Sequence, residues 1–357
     1  VWLRWKLRKV VDKPTFDGIE NFDGGSLCVP FQEWLDKNKL SSLSTSFELP
    51  ITQMGFGYLS QTPAVYALKF MTLASYIPMV MKEAPFIGPL LGWPKRFTLG
   101  YQRMWQRVAW NLDVRLDINV KKIERTADGI RLDVERNEEN LSEVGKGQET
   151  LEADYLIFAC PLQPFTANGT SSEVIKLSTD EESLFSKIKI TSYAMTTLQL
   201  DDMQLGKGKK KGGPLASIFP VPGLDENQRV ATYGVAKQWN ENPLVQFYTS
   251  TYSTDPHDDV KSDVLADVAK IAGQMGGRVV KERGWQTFDR WTYFQHVDTE
   301  TMLGNPNKGE DGWYTQLERL QGKNNTYYVG GATNFELIES IGMYTKNLVE
   351  QNFPKRR

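Results

Sequence analysis

Toward the end of this 357-residue sequence, Thr326-Tyr327-Tyr328-Val329 reads as a strand, Gly330-Gly331 follows, and a helix runs from about Ile338 to Gln351. Glycines let backbone N–H groups approach a ligand with no side chain in the way. A helix N-terminus adds free donors and partial positive charge. The combination can hold a pyrophosphate or the electron-rich edge of a flavin. A strand, a turn with glycines and a helix also serve as a plain connection, and these residues alone leave both readings open.

Other chemistries find less support. The two cysteines, Cys28 and Cys160, form no CxxC pair, and two histidines, His257 and His296, cannot build a multi-histidine metal site. Neither histidine accompanies a GxSxG elbow, which sets aside a Ser-His-Asp hydrolase. A net charge of −2 offers no basic face for nucleic acid, and the run Lys207 to Lys211, set among glycines, reads as an exposed loop. Hydrophobic residues make up 40% and charged residues 24%, enough for a sizeable core. The ten tryptophans fit either an aromatic-rich core or a protein that handles an apolar or planar ligand.

The elements that must position the glycine turn come earlier. Phe31 to Leu40 reads as an amphipathic helix with Phe31, Trp34 and Leu35 on one side. Thr62-Pro63 looks like a helix start, Thr as cap and Pro at the first helical position. Ala64 to Met81 is the most apolar run. Lys69 interrupts it and Pro78 would break it, so it reads as buried helix lining a pocket rather than as a membrane span. Phe97 to Leu99 leads into Gly100 and a helix to Asn111, with a short strand at Val114 to Leu116. Val120 to Arg125 looks extended, Asp128-Gly129 turns, and Ile130 to Val134 alternates as a half-buried strand should. After a polar loop, Asn137 to Glu149, a strongly apolar strand spans Ala153 to Cys160. Further strands read at Ser192 to Asp201, Ala216 to Pro220, Val230 to Gly234 and Val245 to Tyr252, and a helix at Asp258 to Met275. This alternation is α/β or α+β architecture.

In order and spacing, Phe97-Thr98-Leu99-Gly100-Tyr101-Gln102, the strand at Val114, Val120-Lys121-Lys122-Ile123, Asp128-Gly129 and Ala153 to Pro161 resemble the landmarks of flavin-containing amine oxidases and protoporphyrinogen-oxidase-like proteins. Tyr328-Val329-Gly330-Gly331 sits where that family has its second FAD motif. The segments at Trp291 to Phe294 and Tyr327 to Ala332 are similar to fungal members of the β-cyclopiazonate dehydrogenase type. The resemblance covers nearly the whole chain. It implies FAD as cofactor. Val120 would meet the adenine through its backbone, Gly330, Gly331 and Ala332 would lie near the pyrophosphate, and the Ile338 N–H would face the flavin pyrimidine edge. A donor there would stabilise negative charge on reduction.

The departures matter as much. Ala332 stands where the family carries an acidic residue. Met195 aligns with the lysine that many amine oxidases hold near the flavin, and Leu337 with one aromatic of the amine-binding cage. Both argue against ordinary primary-amine oxidation and are compatible with a dehydrogenase or a flavin isomerase. Nothing in Val1 to Glu48 matches the strand, G-x-G-x-x-G turn and helix that open the family's pattern. The expectation is therefore an incomplete Rossmann-like FAD-binding domain, residues 96–190 and 295–357, interleaved with a mixed sheet-and-helix substrate domain, residues 1–95 and 191–294. It would remove hydride from a small organic, apolar substrate, with a flavin-dependent isomerase of unsaturated fatty-acid-like substrates and a non-catalytic binding module as alternatives. The residues name no catalytic side chain, and no metal ligand, nucleic-acid partner or membrane contact is expected. Weak FAD binding is expected, along with an apolar seam beside the last strand at Ile157 and Val329.

Overall fold

The computed structural model describes residues 2–52, 54–71, 98–126, 128–136, 147–201, 215–219, 230–231, 234–238, 244–251, 262, 266, 278–279 and 285–353. The helix expected at Asp258 to Met275, apart from Ser262 and Ala266, most of the loop from Asn137, the Lys207 to Lys211 run and the apolar run beyond Met71 lie outside these residues.

The fold is α/β. Its first helices, α1 (Trp2–Val11), α2 (Phe31–Lys37), α3 (Ser44–Thr52) and α4 (Ala64–Phe70), build one wall of the core. In α2 the expected face is the buried one, Phe31, Trp34 and Leu35. Helix α4 is buried from Ala64 through Lys69, so it is core rather than a wall facing a pocket. Its start differs from expectation by one position. Pro63 is the N-cap, and the Thr62 hydroxyl donates to the Phe56 carbonyl at 2.7 Å instead of capping the helix. Lys69 is satisfied by the Lys13 carbonyl at 2.8 Å and lies over the Phe16 ring, which explains how an ammonium sits among apolar neighbours.

Helix α5 (Gly100–Ala109) buries none of its residues. The strand expected at Val114 to Leu116 does not form. Both residues are exposed, and among the described residues no strand pairs with them. Strands β1 (Ile118–Thr126), β2 (Gly129–Arg136) and β3 (Gln148–Ala153) make an antiparallel meander. The single strand expected over Ala153 to Cys160 is two pieces. β3 ends at Ala153 in the meander, and after a bend β4 (Leu156–Phe158) belongs to another sheet. Helix α6 (Thr179–Phe185) leads into the seven-stranded antiparallel sheet of β5 (Lys189–Asp201), β6 (Leu215–Phe219), β7 (Val230–Ala231), β8 (Gly234–Gln238), β9 (Leu244–Thr251), β10 (Arg278–Val279) and β11 (Trp285–His296). Then follow α7 (Thr299–Leu303), α8 (Trp313–Leu320), β12 (Thr326–Tyr328), α9 (Gly331–Asn334) and α10 (Ile338–Asn352).

β12 is fully buried and runs parallel to β4, Thr326 opposite Leu156 and Tyr328 opposite Phe158. Its other edge is closed by a side chain. Gln321 accepts from the Tyr328 N–H and donates to the Tyr328 carbonyl, both at 2.8 Å, as a neighbouring strand would. The outer edge of β4 has no strand partner among the described residues. Ile157 there is 40% exposed, whereas Val329 is buried against Tyr344 and Leu348. The expected apolar seam is thus present at Ile157 and absent at Val329.

A buried ion pair ties these elements together. Arg125 of β1 donates two hydrogen bonds to Glu181, at 2.6 and 2.8 Å, and Glu181 also accepts from the Ser178 N–H and hydroxyl and from the Tyr328 hydroxyl. The two side chains are 7% and 1% exposed. Burial by itself raises the Glu181 pKa, but the bonds from Arg125, Tyr328 and Ser178 outweigh it and bring the carboxyl from 4.5 to about 2. A depressed carboxylate stabilises the fold fully above its ordinary value and loses that contribution as pH falls toward the folded one. Glu181→Gln should therefore lower the unfolding free energy at neutral pH by about 3 kcal/mol. Denaturant titrations should show wild type and variant converging as the pH drops from 4.5 toward 2.

Candidate functional site

A cavity of about 140 Å³ opens beyond the C-terminal ends of the parallel pair, where ligands of α/β sheets commonly bind. Ala159 and Cys160 continue β4 into it, and Val329, Gly330 and Gly331 continue β12. Its third side is the end of β11, with Tyr293, Phe294 and Gln295, and Glu336 reaches in from the turn before α10.

Three unusual backbone conformations ring this cavity. Gly330 has φ 121 and ψ −166, a region that only glycine occupies readily. Phe294 has φ 48, at a register shift in β11 between Tyr293 and His296 that turns these side chains toward the cavity. Phe335 has φ 71. Bulky residues rarely hold such conformations unless their surroundings dictate them. Here the two phenylalanine rings, both 1% exposed, pack edge to face at 5.6 Å and share Phe56 and Tyr66 as neighbours.

The residue after each strained phenylalanine meets the other. The Gln295 N–H donates to Glu336 Oε1 at 3.2 Å, while the Gln295 carboxamide accepts from the Leu162 N–H at 3.2 Å. The Tyr293 hydroxyl faces Glu336, and the Tyr293 ring stacks on Tyr193 at 5.3 Å. Gly55 makes this close arrangement feasible, since a side chain there would meet Tyr293 and Tyr193 within 2.9 Å. Burial pushes the Glu336 carboxyl above the usual carboxylate range, although Gln295, Tyr293 and Phe294 pull the other way. The Tyr293 phenol is pushed up by burial and by Glu336. His296 stacks on Phe294 at 4.5 Å, and burial lowers its pKa although Nδ1 bonds to the Phe294 carbonyl.

Of the site residues expected from sequence, Gly330, Gly331 and Ala332 line this cavity together. Val120 lies on β1, half-buried against the core, and Ile338 opens α10 with 62% of its surface exposed. Neither lines the cavity. Met195 sits mid-strand in β5, opposite Tyr248 and Asp289, and Leu337 is the N-cap of α10. Sequence reasoning missed Tyr293, Gln295 and Glu336, because the β11 bulge and the Phe335 turn that bring them together carry no local pattern. Cys160 lies on the rim and is exposed. Among the described residues no His, Cys, Asp and Glu group could hold a metal ion, and no helix is long and apolar enough to cross a membrane.

The fit to a flavin is to a ring edge. Backbone at Gly330 and Gly331 and the polar corner of Gln295 and Glu336 suit a planar, hydrogen-bonding edge. Among the described residues no lysine or arginine lines the cavity to neutralise a diphosphate.

No protein-family model matches the sequence. The FAD-dependent oxidoreductase dpasF of Apiospora sacchari is 23% identical over 310 residues, which is 86% of this chain and 58% of the relative. The chain thus spans a little over half the length of that curated relative. Among solved structures, a CLA-producing fatty acid isomerase from P. acnes superposes with a TM-score of 0.72 at 21% identity, over 98% of this chain and 72% of its own. A putrescine oxidase variant superposes with a TM-score of 0.55 at 13% identity, over 98% of this chain and 73% of its own.

The glycines give a direct test. A Cβ at Gly331 would stand 2.8 Å from Glu336 Cγ. Gly331→Ala should destabilise the fold by about 1–3 kcal/mol, and most of the loss should vanish in a Glu336→Ala background, as a double-mutant cycle on denaturation midpoints would show. Gly330→Ala meets no atom closer than 3.7 Å. Its cost, again about 1–3 kcal/mol, comes from backbone conformation and should persist in that background.

Proposed function

We propose that this chain, which has the fold of the amine-oxidase-like flavoproteins, works as an FAD-dependent oxidoreductase that takes hydride from a small, apolar organic substrate. The observation that carries the reading is the cavity at the ends of β4 and β12, where Gly330 and Gly331 are exposed to a ligand. It agrees with the similarity to an FAD-dependent oxidoreductase over 86% of the chain. Bound flavin would supply the hydride-accepting atom.

The chain's own residues bind and orient. Gly330 and Gly331 would hold the edge of the ring system through backbone N–H groups. Val120 would meet the adenine and the Ile338 N–H the pyrimidine edge, as the family resemblance implies, with Ala332 beside the glycines. Gln295 and Glu336 form the polar corner, and Ile190, Pro161 and Leu162 add apolar wall that excludes water. The segments 1–95 and 191–294 form the substrate-side domain in this reading, and 96–190 with 295–357 the cofactor-side domain.

A flavin-dependent isomerase is the second reading, favoured by the TM-score of 0.72 with a fatty acid isomerase. Both agree on the cofactor and differ in the fate of its electrons. An oxidoreductase leaves reduced flavin when substrate is added without an acceptor, and an isomerase returns the oxidised spectrum after each turnover.

Because the cavity offers a ring edge and no described cation, FAD and riboflavin should bind the chain weakly and with affinities within about tenfold of each other, a difference under about 1.4 kcal/mol. Titration by flavin fluorescence measures both. Absence of saturable binding by either would reject the flavin reading. Affinity for FAD far above that for riboflavin would show that the diphosphate is held after all.

A further inference from the structure

We propose that Glu336 is the proton-carrying residue of this cavity: as a neutral carboxylic acid it donates its hydrogen to a lone pair of the bound molecule, and Tyr293 positions it. The identity of that molecule as a flavin rests on the reading above, whereas the assignment to Glu336 rests on the local geometry.

The carboxyl is surrounded by donors. The Gln295 N–H reaches Oε1 at 3.2 Å, and the Phe294 backbone N–H and the Tyr293 hydroxyl face the same group and favour its charged form. With Tyr293 donating, each supplies a hydrogen and none accepts one. The hydrogen of a neutral Glu336 is then left to point into the cavity that the side chain lines. Its aim is fixed from both sides. Phe335, immediately before it, is clamped among Phe56, Tyr66 and Phe294. Tyr293 is held between the Gly55 backbone and the Tyr193 ring.

The surroundings keep the proton on. From β11, Tyr293 faces Glu336, and from the end of β4 the Cys160 thiol lines the same cavity. Among the described residues no lysine, arginine, histidine or second carboxylate lines it. Burial favours the neutral acid. The Tyr293 phenol, itself pushed up, stays protonated and remains a donor. When the bound molecule gains negative charge, the proton can cross. The Glu336 O–H bond breaks as an X–H bond forms on the acceptor, and the carboxylate that remains is held by the three donors. No electrons move in that step.

The test uses the full chain with FAD as the probe, in wild type, Glu336→Gln and Tyr293→Phe, between about pH 5 and pH 9. Wild-type affinity should be level in acid and fall by about tenfold per pH unit above the carboxyl's midpoint. Glu336→Gln, neutral at every pH, should lose that slope. Tyr293→Phe should move the midpoint upward, because it removes a donor that favours the carboxylate. In parallel, 13C-glutamate resonances of ligand-free wild type minus Glu336→Gln report the carboxyl directly. A resonance titrating clearly above the ordinary value of about 4.3 supports the proposal. One titrating at or below it, or a Glu336→Gln variant that keeps the wild-type slope, overturns it. If no protein binds FAD at any pH, the flavin reading fails, and the carboxyl resonance still decides the role of Glu336.

Discussion

The packing of Phe294 against Phe335 is the constraint on which the site depends. Each residue holds a backbone conformation that costs of order 1–3 kcal/mol for a bulky side chain. Burying both rings in one cluster with Phe56, Tyr66 and Phe70 offsets that cost, since aromatic rings carry large apolar area and favour edge-to-face contact. The consequence is geometric. Two chain segments about forty residues apart each turn sharply at a phenylalanine, and the next residues, Gln295 and Glu336, meet in a hydrogen bond at the cavity wall. The hydroxyl pair of Tyr66 and Tyr314, 2.6 Å apart, extends the cluster toward α8 without leaving Tyr66 unsatisfied, because its oxygen also accepts from the Val297 N–H.

A second fixed point lies on the strand that leads to the cavity. Glu181 joins β1, α6 and β12 through Arg125, Ser178 and Tyr328, so the strand that delivers Gly330 is anchored by charge as well as by packing. Phe185 and Phe158 flank the Tyr328 ring at 5.0 and 5.9 Å. The strand that leads into the cavity and the turn that completes it thus each have a support, a buried ion pair for the one and an aromatic cluster for the other.

Much of this was legible in the sequence where the signal is local. The alternation of Ile130 to Val134, the apolar strand ending at Tyr328 and the buried face of α2 are periodicities, and each element appears close to its expected bounds. Where the outcome depends on partners, sequence reading fell short. Ala153 to Cys160 is strongly apolar apart from Asp154, yet a bend at that residue divides it between two sheets. Val114 to Leu116 has strand composition but no described neighbour to pair with. Gly331 was legible as a glycine required by a close approach, but in this structure the approaching group is Glu336. The polar corner was invisible because it is made by a bulge and a left-handed phenylalanine, neither of which has a sequence periodicity.

The two edges of the short parallel sheet are unequal, and that inequality limits how chains can associate. Gln321 occupies the backbone positions on the far side of Tyr328 that a further strand would need. Among the described residues, the edge of this pair left open to strand addition is that of β4, beside Ile157. Edge-to-edge contact between two copies through this sheet would consume the open edge of both and leave a sealed edge at either end. Such contact would stop at a pair rather than extend into an open-ended fibril. One glutamine side chain thereby takes the place of a strand at that edge.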